Sequence, residues 1–102
     1  MFKITFYTKE GKFISPPYKI PYDKLHKLDG PAIVCKDGDK EWWVNGNLHR
    51  IDGPAIEFND GDKDWYINGK KLNIKKVEAW IKNNNINLKT KAHQVLFMLM
   101  FG

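Results

Sequence analysis

The chain repeats itself, and this repeat constrains the fold more than any other feature of the sequence. Residues 25–47 align with residues 48–70 without a gap at a period of 23 residues, and 14 of the 23 positions are identical. The differences are mostly conservative, such as Lys27 for Arg50. Because a repeat of this length is one supersecondary unit that packs against its neighbours, the fold is expected to contain two copies of one unit.

Each copy is predicted to form a β-hairpin. PAIVCK and DKEWWVN flank the Asp-Gly pair at 37–38, and PAIEFN and DKDWYIN flank the equivalent pair at 60–61. Asp-Gly between alternating segments favours a two-residue type I′ turn, because Gly adopts positive φ and Asp tolerates it. Such a turn predicts that Ile33 lies opposite Trp42. Asn-Gly pairs mark the turn that follows each hairpin.

In this register the sheet has one apolar face and one acidic face that is exposed to solvent. The exposed face carries one large aromatic residue from each copy, which is typical of interfaces. An acidic patch beside them can compete for a basic surface. Coverage of the two aromatic residues by the N-terminal arm or by a C-terminal helix is the alternative. The residues predicted to contact a partner are Trp43, Tyr66, Glu41, Asp39, Glu57, Asp62 and Asp64.

Both copies resemble the MORN repeat in their period, their paired short strands and their glycine-punctuated turns. The closer resemblance is to a variant, LHR-x-DGPA…DG…W-x-x-NG, of small proteins from large tailed phages and giant viruses. Here the variant reads LHKLDGPAIVCKDGDKEWWVNG and then LHRIDGPAIEFNDGDKDWYINGK. The resemblance covers residues 25–70. It implies a meandering antiparallel sheet, a helical tail after the repeats and a viral source, and it implies no reaction.

The flanking segments are predicted to cap the two repeats within a single domain of 102 residues. In residues 1–24, FKITFYT at 2–8 alternates as a strand, and SPPYKIPYDK is typical of an extended, Pro-rich arm. This arm is a connector or, alternatively, a peptide ligand for Pro-binding domains. Residues 71–102 are predicted to form a helical cap after the repeats at 25–47 and 48–70.

Two helices are predicted in the C-terminal cap. Asn73 is a suitable N-cap for IKKVEAWIKN, whose apolar residues lie on one helical stripe, and Thr90 caps a second helix at 91–100. The second helix contains VLFMLM and is apolar nearly all round, so we expect it to be buried within the monomer. Burial in a homodimer and a C-terminal strand are the alternatives. The predicted fold class is α+β, with antiparallel β-hairpin repeats followed by two C-terminal helices.

The motif LH-K/R-x-DGP brings a histidine and an aspartate together twice, at His26 and Asp29 and at His49 and Asp52. Such pairs could act as acid–base groups or metal ligands, but metal sites need three or four ligands, and the chain has three His and one Cys. A structural interpretation is favoured, in which Asp closes an Asx-type turn, Gly supplies an unusual φ and Pro starts an edge strand. No catalytic residue, metal ligand or cofactor is predicted.

The remaining features are interpreted as structural or as markers of the compartment. His93 has no catalytic motif around it, and Cys35 falls on the apolar face, where a free thiol behaves as a small apolar side chain. A single Cys fits a reducing cytoplasm. The N-terminus lacks the apolar stretch of a signal peptide, and the C-terminal run is too short to span a bilayer. We expect a cytoplasmic protein without a membrane partner.

Charge is distributed unevenly along the chain. Residues 25–69 hold five basic and nine acidic side chains, whereas residues 70–102 hold seven lysines and the single acid Glu78. We predict a non-enzymatic, phage-encoded protein-binding module that occupies a host protein and inhibits a host or anti-phage defence enzyme. The alternative is a nucleic-acid-binding accessory protein, and its phosphate contacts would be Lys70, Lys71, Lys75, Lys76, Lys82, Lys89 and Lys91.

Overall fold

The computed structural model describes residues 3–102 of the chain. Its strands are β1 (Ile4–Thr8), β2 (Gly11–Ser15), β3 (Ile33–Val34), β4 (Lys40–Glu41), β5 (Trp43–Val44), β6 (Asn47–Leu48), β7 (Ile56–Glu57), β8 (Lys63–Asp64), β9 (Tyr66–Ile67) and β10 (Lys70–Lys71). Its helices are α1 (Ile74–Asn83) and α2 (Lys91–Phe101). Antiparallel hairpins come first and the helices last, so the predicted α+β class is confirmed.

Six strands form one antiparallel sheet in the order β2-β1-β3-β4-β7-β8, and two further hairpins are formed by β5 with β6 and by β9 with β10. The four strands of the second repeat begin 23 residues after those of the first, at 56 after 33, 63 after 40, 66 after 43 and 70 after 47. The duplication of the sequence is therefore a duplication of the structure. The strand predicted at 2–8 is β1, and residue 2 lies outside the described residues.

The N-terminal strand β1 takes the place that a preceding repeat would occupy. The Tyr7 N–H donates to the Ala32 carbonyl at 2.8 Å, and the Trp42 N–H donates to the Ala55 carbonyl at 2.7 Å in the same way one repeat later. Strand β3 therefore has a neighbour on both sides, as β7 does. Because stacked repeats need altered ends, β1 is the N-terminal cap of the array.

The turn within each hairpin differs from the prediction. Ile33 pairs with Glu41 rather than with Trp42, and the second repeat has the same register. The predicted two-residue turn is therefore wrong. Three residues lie between Cys35 and Asp39, whose backbone N–H and carbonyl close the loop with a hydrogen bond of 2.9 Å.

An aspartate side chain explains the longer turn. The Asp37 Oδ1 accepts the Asp39 N–H at 3.1 Å, and Gly38 completes the loop with φ 104°. A three-residue hairpin loop with Gly in a positive-φ conformation is the next most favoured after the two-residue turn. The strand predicted for DKEWWVN is also interrupted, because Trp42 falls between β4 and β5.

Two clusters of buried side chains form the interior. The first core joins β1 to the arm and the first repeat and contains Ile4, Phe6, Ile20, Leu25, Ala32 and Ile33. The second core joins the second repeat to the helices and contains Trp65, Ile67, Leu72, Val77, Leu88 and Phe97. The arm is not a simple extended connector, since it forms 3-10 turns at Pro17–Lys19 and Tyr22–Lys24 and buries Ile20.

Both helices begin at the predicted N-caps. The Asn73 side chain accepts the Lys76 N–H at 3.1 Å, and Thr90 Oγ1 accepts the His93 N–H at 3.3 Å. Helix α2 is buried along one side only, at Phe97, so the prediction that the whole helix is buried in the monomer is wrong. The alternative of a C-terminal strand is also wrong. Neither helix within residues 3–102 has the length and apolar character needed to cross a membrane.

Two glycines with positive φ test the contact between the arm and the first Asn-Gly turn. Gly46 lies in that turn, and Gly61 lies in the loop of the second hairpin. A Cβ on Gly46 would clash with the Asp23 carbonyl of the arm, whereas a Cβ on Gly61 would meet open space. We expect Gly61→Ala to lower the free energy of unfolding by about 1–2 kcal/mol, because an L-residue is strained in this conformation. Gly46→Ala should lower it further, since the arm must also move. Urea denaturation measures both, and equal losses would contradict the contact between the arm and the turn.

Candidate functional site

The two histidines of the repeated motif hold turns. His26 Nδ1 accepts the Asn45 N–H at 3.0 Å, and His49 Nδ1 accepts the Asn68 N–H at 3.0 Å, in each case 19 residues along the chain. The two asparagines have left-handed φ values of 51° and 49° and begin the Asn-Gly turns. Only an imidazole that is unprotonated at Nδ1 can accept this hydrogen bond. Each imidazole therefore satisfies the backbone amide of a turn.

The array has three layers, which are β1, the first repeat and the second repeat, and the backbone N–H of the same residue joins each layer to the structure that follows it. The His49 N–H donates to the Trp42 carbonyl at 3.0 Å, and the Leu72 N–H donates to the Trp65 carbonyl at 2.8 Å one repeat later. The His26 N–H makes the equivalent bond to β1 at 3.0 Å. The third position of this series is a leucine without an imidazole, and it comes where the helices replace a further repeat.

The basic residue of the motif packs over an aromatic ring. The Arg50 guanidinium lies 3.7 Å from the centroid of the Trp42 ring, and Lys27 Nζ lies 4.0 Å from the centroid of the Tyr7 ring. The Arg50 side chain is only 11% exposed, and its hydrogen-bond acceptors are Asp52 Oδ1 at 2.7 Å, the Pro54 carbonyl at 3.0 Å and Glu57 Oε2 at 3.0 Å. The guanidinium is therefore a structural link between the motif and β7.

Three details of the structure predicted for the LH-K/R-x-DGP motif are wrong. Neither glycine of the DGP sequences has a left-handed φ. A Cβ on Gly53 would lie 2.8 Å from Arg50 Cζ, so a larger residue there would displace the guanidinium. Asp52 pairs with Arg50, whereas the Asx-type hydrogen bonds belong to Asp37 and Asp60 in the hairpin loops. Strands β3 and β7, which follow the prolines, lie inside the sheet and not at its edge.

The nucleophilic and metal-binding side chains are dispersed. Among residues 3–102, no three His, Cys, Asp or Glu side chains come together as a metal site requires. Burial raises the pKa of the Cys35 thiol, and nearby carboxylates raise it further, so the thiol is protonated at neutral pH. The carboxylates are those of Asp37, Glu41 and Asp39. His93 Nδ1 accepts the Asn87 N–H at 2.7 Å and ties the start of α2 to the preceding loop.

The two aromatic residues predicted at the interface are half-buried. Trp43 packs against the first core, and its ring centroid lies 5.6 Å from that of Tyr22 in the arm. The Trp43 Nε1 donates to Glu41 Oε1 at 2.9 Å. Tyr66 pairs with Lys71 in the hairpin of β9 and β10. The arm therefore covers part of Trp43, which is the alternative that the sequence left open.

The acidic residues predicted beside them do not share one surface. Glu41 and Asp64 lie on one face of the sheet, because both pair with Ile56, and Glu57 lies on the other face. Asp39 Oδ1 accepts a backbone N–H of the second hairpin loop at 2.7 Å, which joins the two loops. Several of these carboxylates thus have structural partners, and together they do not form one continuous acidic face.

The lysines of the alternative nucleic-acid surface are all exposed. Lys70 Nζ donates to the Phe101 carbonyl at 3.3 Å, and Lys71 Nζ lies 3.8 Å from Asp64 Oδ1. The other members of this set extend from α1 to the start of α2 and are Lys75, Lys76, Lys82, Lys89 and Lys91. The C-terminal part of the molecule is therefore a strongly basic region.

Helix α2 has an exposed apolar surface whose position on the helix the sequence does not indicate. We call it the outer stripe, and its exposed residues are Ala92, Val95, Leu96, Leu99 and Met100. Their spacing of i, i+3, i+4, i+7 and i+8 places them on one side of the helix. A cleft of about 470 Å³ beside the stripe is also lined by Trp80 and Ile86. The only sequence signal for this surface is the all-round apolar character of VLFMLM. That character does not show which side of the helix is packed against the rest of the protein.

The turn held by His49 predicts a dependence of stability on pH. Burial lowers the pKa of His49, so its contribution to stability is complete above its unfolded pKa of about 6.5 and is lost as the pH falls below that value. We expect the free energy of unfolding to decrease as the pH falls from about 6.5 to about 5. His49→Gln, which has a neutral acceptor, should have a smaller decrease in urea denaturation. An identical pH dependence in both proteins would contradict this role.

Comparison of the chain with protein-family models, with curated proteins and with solved structures finds no match. The resemblance of residues 25–70 to the variant MORN repeat therefore stays a prediction.

Proposed function

We propose that the protein is a non-enzymatic module that binds another protein through the outer stripe of α2. The supporting observation is the exposure of four large apolar side chains, at 58% for Val95, 46% for Leu96, 78% for Leu99 and 58% for Met100. Large contiguous apolar patches are uncommon on monomeric proteins and mark interaction sites. A partner that covers these side chains removes their apolar area from water, which favours association.

The helix that carries the outer stripe is held firmly on its inner side. Phe97 is fully buried and lies 5.7 Å from Trp65 and 6.2 Å from Trp80 between ring centroids. Gln94 Nε2 donates to the Leu88 carbonyl at 2.9 Å near the start of the helix. A stripe on a fixed helix loses little conformational freedom on binding, and such preorganisation increases affinity.

Charge indicates the kind of partner. Residues 70–102 hold seven lysines and one glutamate, so the segment that carries the outer stripe is strongly basic. A second copy of the chain would bring two such regions together, which disfavours a homodimer through this helix. An apolar groove or an amphipathic helix with acidic residues at its rim complements both the stripe and the lysines.

The biological setting of the proposal rests on the resemblance of the repeats. A phage-encoded module of this kind would act in the host cytoplasm and bind a host protein. Inhibition of a host or anti-phage defence enzyme requires only that the module occupies the enzyme's surface. No catalytic residue, metal or cofactor is needed for this function.

A nucleic-acid-binding accessory function is the second candidate. The observation that favours it is the exposure of all seven C-terminal lysines, which could contact phosphates. Two of them already contact the protein, at Phe101 and Asp64. Phosphate contacts also leave the outer stripe unexplained, and for this reason we favour a protein partner.

Replacement of Leu96 and Leu99 by Asp tests the proposed surface. The double variant adds two carboxylates to the outward side of α2 and removes no residue of either core. We expect a normal fold by circular dichroism and at least about tenfold weaker binding, since central apolar contacts carry most of the energy of an interface. The partner is captured from a bacterial lysate with immobilised protein, purified, and titrated calorimetrically against both proteins.

The matched control is the double variant Lys19→Gln with Lys63→Gln, which lowers the net charge by the same two units at exposed positions outside α2. It should bind with wild-type affinity. A partner that binds the Leu96→Asp, Leu99→Asp variant as tightly as the wild type would contradict the assignment. Capture of nucleic acid with a steep salt dependence would support the second candidate instead. A dimer that this variant dissociates would show that a second copy occupies the stripe.

A further inference from the structure

Strand β2 forms one edge of the six-stranded sheet and has no strand on its outer side in the described part of the chain. It pairs with β1 along five residues, and four of its five residues are exposed. The opposite edge is β8, which has only two residues. A longer edge presents a row of backbone donors and acceptors on which another extended chain can pair.

The hydrogen bonds of β1 show which backbone groups of β2 point outward. The Tyr7 N–H donates at 2.8 Å to a carbonyl of the segment that leads into β3. Because successive residues in a strand alternate, Phe6 directs its N–H and C=O toward β2, and its partner Phe13 directs its own toward β1. The N–H and C=O groups of Lys12 and Ile14 therefore point away from the sheet.

One face of this edge is a basic groove. Ile14 is 62% exposed and is the cross-strand neighbour of Thr5. A cleft of about 370 Å³ lies over these residues and is also lined by Lys3 and Lys36, while no carboxylate lines it in the described structure. Lys12 lies on the same face as Ile14, since the two are two residues apart in one strand. Negatively charged side chains would complement this groove.

The other face of the edge offers an apolar contact. Phe13 is 40% exposed and stacks on Phe6 with 5.4 Å between ring centroids. A second cleft, of about 510 Å³, opens on this face and is also lined by Pro21 and by residues of both charges. The edge of β2 thus lies between two clefts of different character. The cleft at Ile14 is basic, and the cleft at Phe13 has residues of both charges.

We propose that β2 accepts an extended, acidic segment of a partner protein as an additional strand. The backbone of the segment would pair with the outward N–H and C=O groups of Lys12 and Ile14. Its acidic side chains, at every second position, would face Lys3, Lys12 and Lys36, and the apolar side chains between them would face Phe13. In strand addition the main chain supplies affinity and alternating pockets supply specificity. This site is separate from the outer stripe and does not depend on its assignment.

Other occupants match the edge less well. A second copy that paired β2 with β2 would place Lys12 of each chain on neighbouring strands of one joined sheet. Like charges on neighbouring strands are destabilising. A nucleic acid would neutralise the lysines but could not pair with alternating N–H and C=O groups. An acidic strand satisfies both the charges and the backbone.

NMR titration of the full chain with synthetic peptides tests the site. The probe is a blocked peptide of alternating Glu and Val, and the controls are a Lys-Val peptide and a Glu-Val peptide that is N-methylated at the Glu residues. We expect saturable shifts of the β2 amides and slower hydrogen exchange of the Ile14 N–H with the probe. Each control should bind at least about tenfold more weakly, because it loses backbone hydrogen bonds or places cations against lysines.

Three variants make the test specific. Ile14→Pro removes one outward N–H and is tolerated in an edge strand, so it should abolish binding, whereas Ile14→Val should retain it. The double reversal Lys3→Glu with Lys36→Glu should change the preference to the Lys-Val peptide. Any one of four results would overturn the proposal: probe binding that Ile14→Pro leaves unchanged, no saturable shift at millimolar probe, β2 shifts with single-stranded oligonucleotide but not with peptide, or β2 shifts that depend on protein concentration alone.

Discussion

The hydrogen bond from a turn amide to a histidine Nδ1 is the interaction on which the repeat architecture depends. The Asn-Gly turns need an asparagine in the left-handed conformation, and the amide of that asparagine needs an acceptor. His26 and His49 supply it at 3.0 Å, and their own backbone N–H groups bond to the preceding layer. One residue therefore ties the layer before it to the turn after it. This double role accounts for a motif that occurs twice without forming a reactive site.

The stacking of the layers explains how only two repeats make a stable array. In each layer a side chain packs over an aromatic ring. Lys27 lies over Tyr7 in the first layer, and Arg50 lies over Trp42 in the second. In the third layer the Trp65 ring meets Phe97 of α2, edge to face, at 5.7 Å between centroids. The cation of a further repeat is thus replaced by an apolar side chain of the helix. Strand β1 supplies the aromatic ring of the contact at one end of the array, and α2 supplies the side chain that packs on the ring at the other end.

The sequence predicts the parts of this structure that depend on local chemistry. The period, the Asn73 and Thr90 caps and the positions of both helices follow from spacing and capping preferences. The hairpin register does not, because the Asp37 side chain closes a three-residue loop where the Asp-Gly pair alone favours two. That shift of one residue divides the predicted acidic face and turns Trp43 to the core.

The two proposed binding surfaces could not be predicted from the sequence for a related reason. Because α2 is apolar nearly all round, its sequence allows burial on any side. The packing of Phe97 in the second core determines that Leu99 is exposed. The position of β2 at the edge of the sheet is likewise determined by which strands pair and not by its own residues.

The protonation state of the two repeat histidines tests the architecture most directly. Long-range ¹H–¹⁵N correlation at neutral pH should find His26 and His49 both neutral, with the proton on Nε2 and an unprotonated Nδ1. A proton on Nδ1 of either residue would contradict the account.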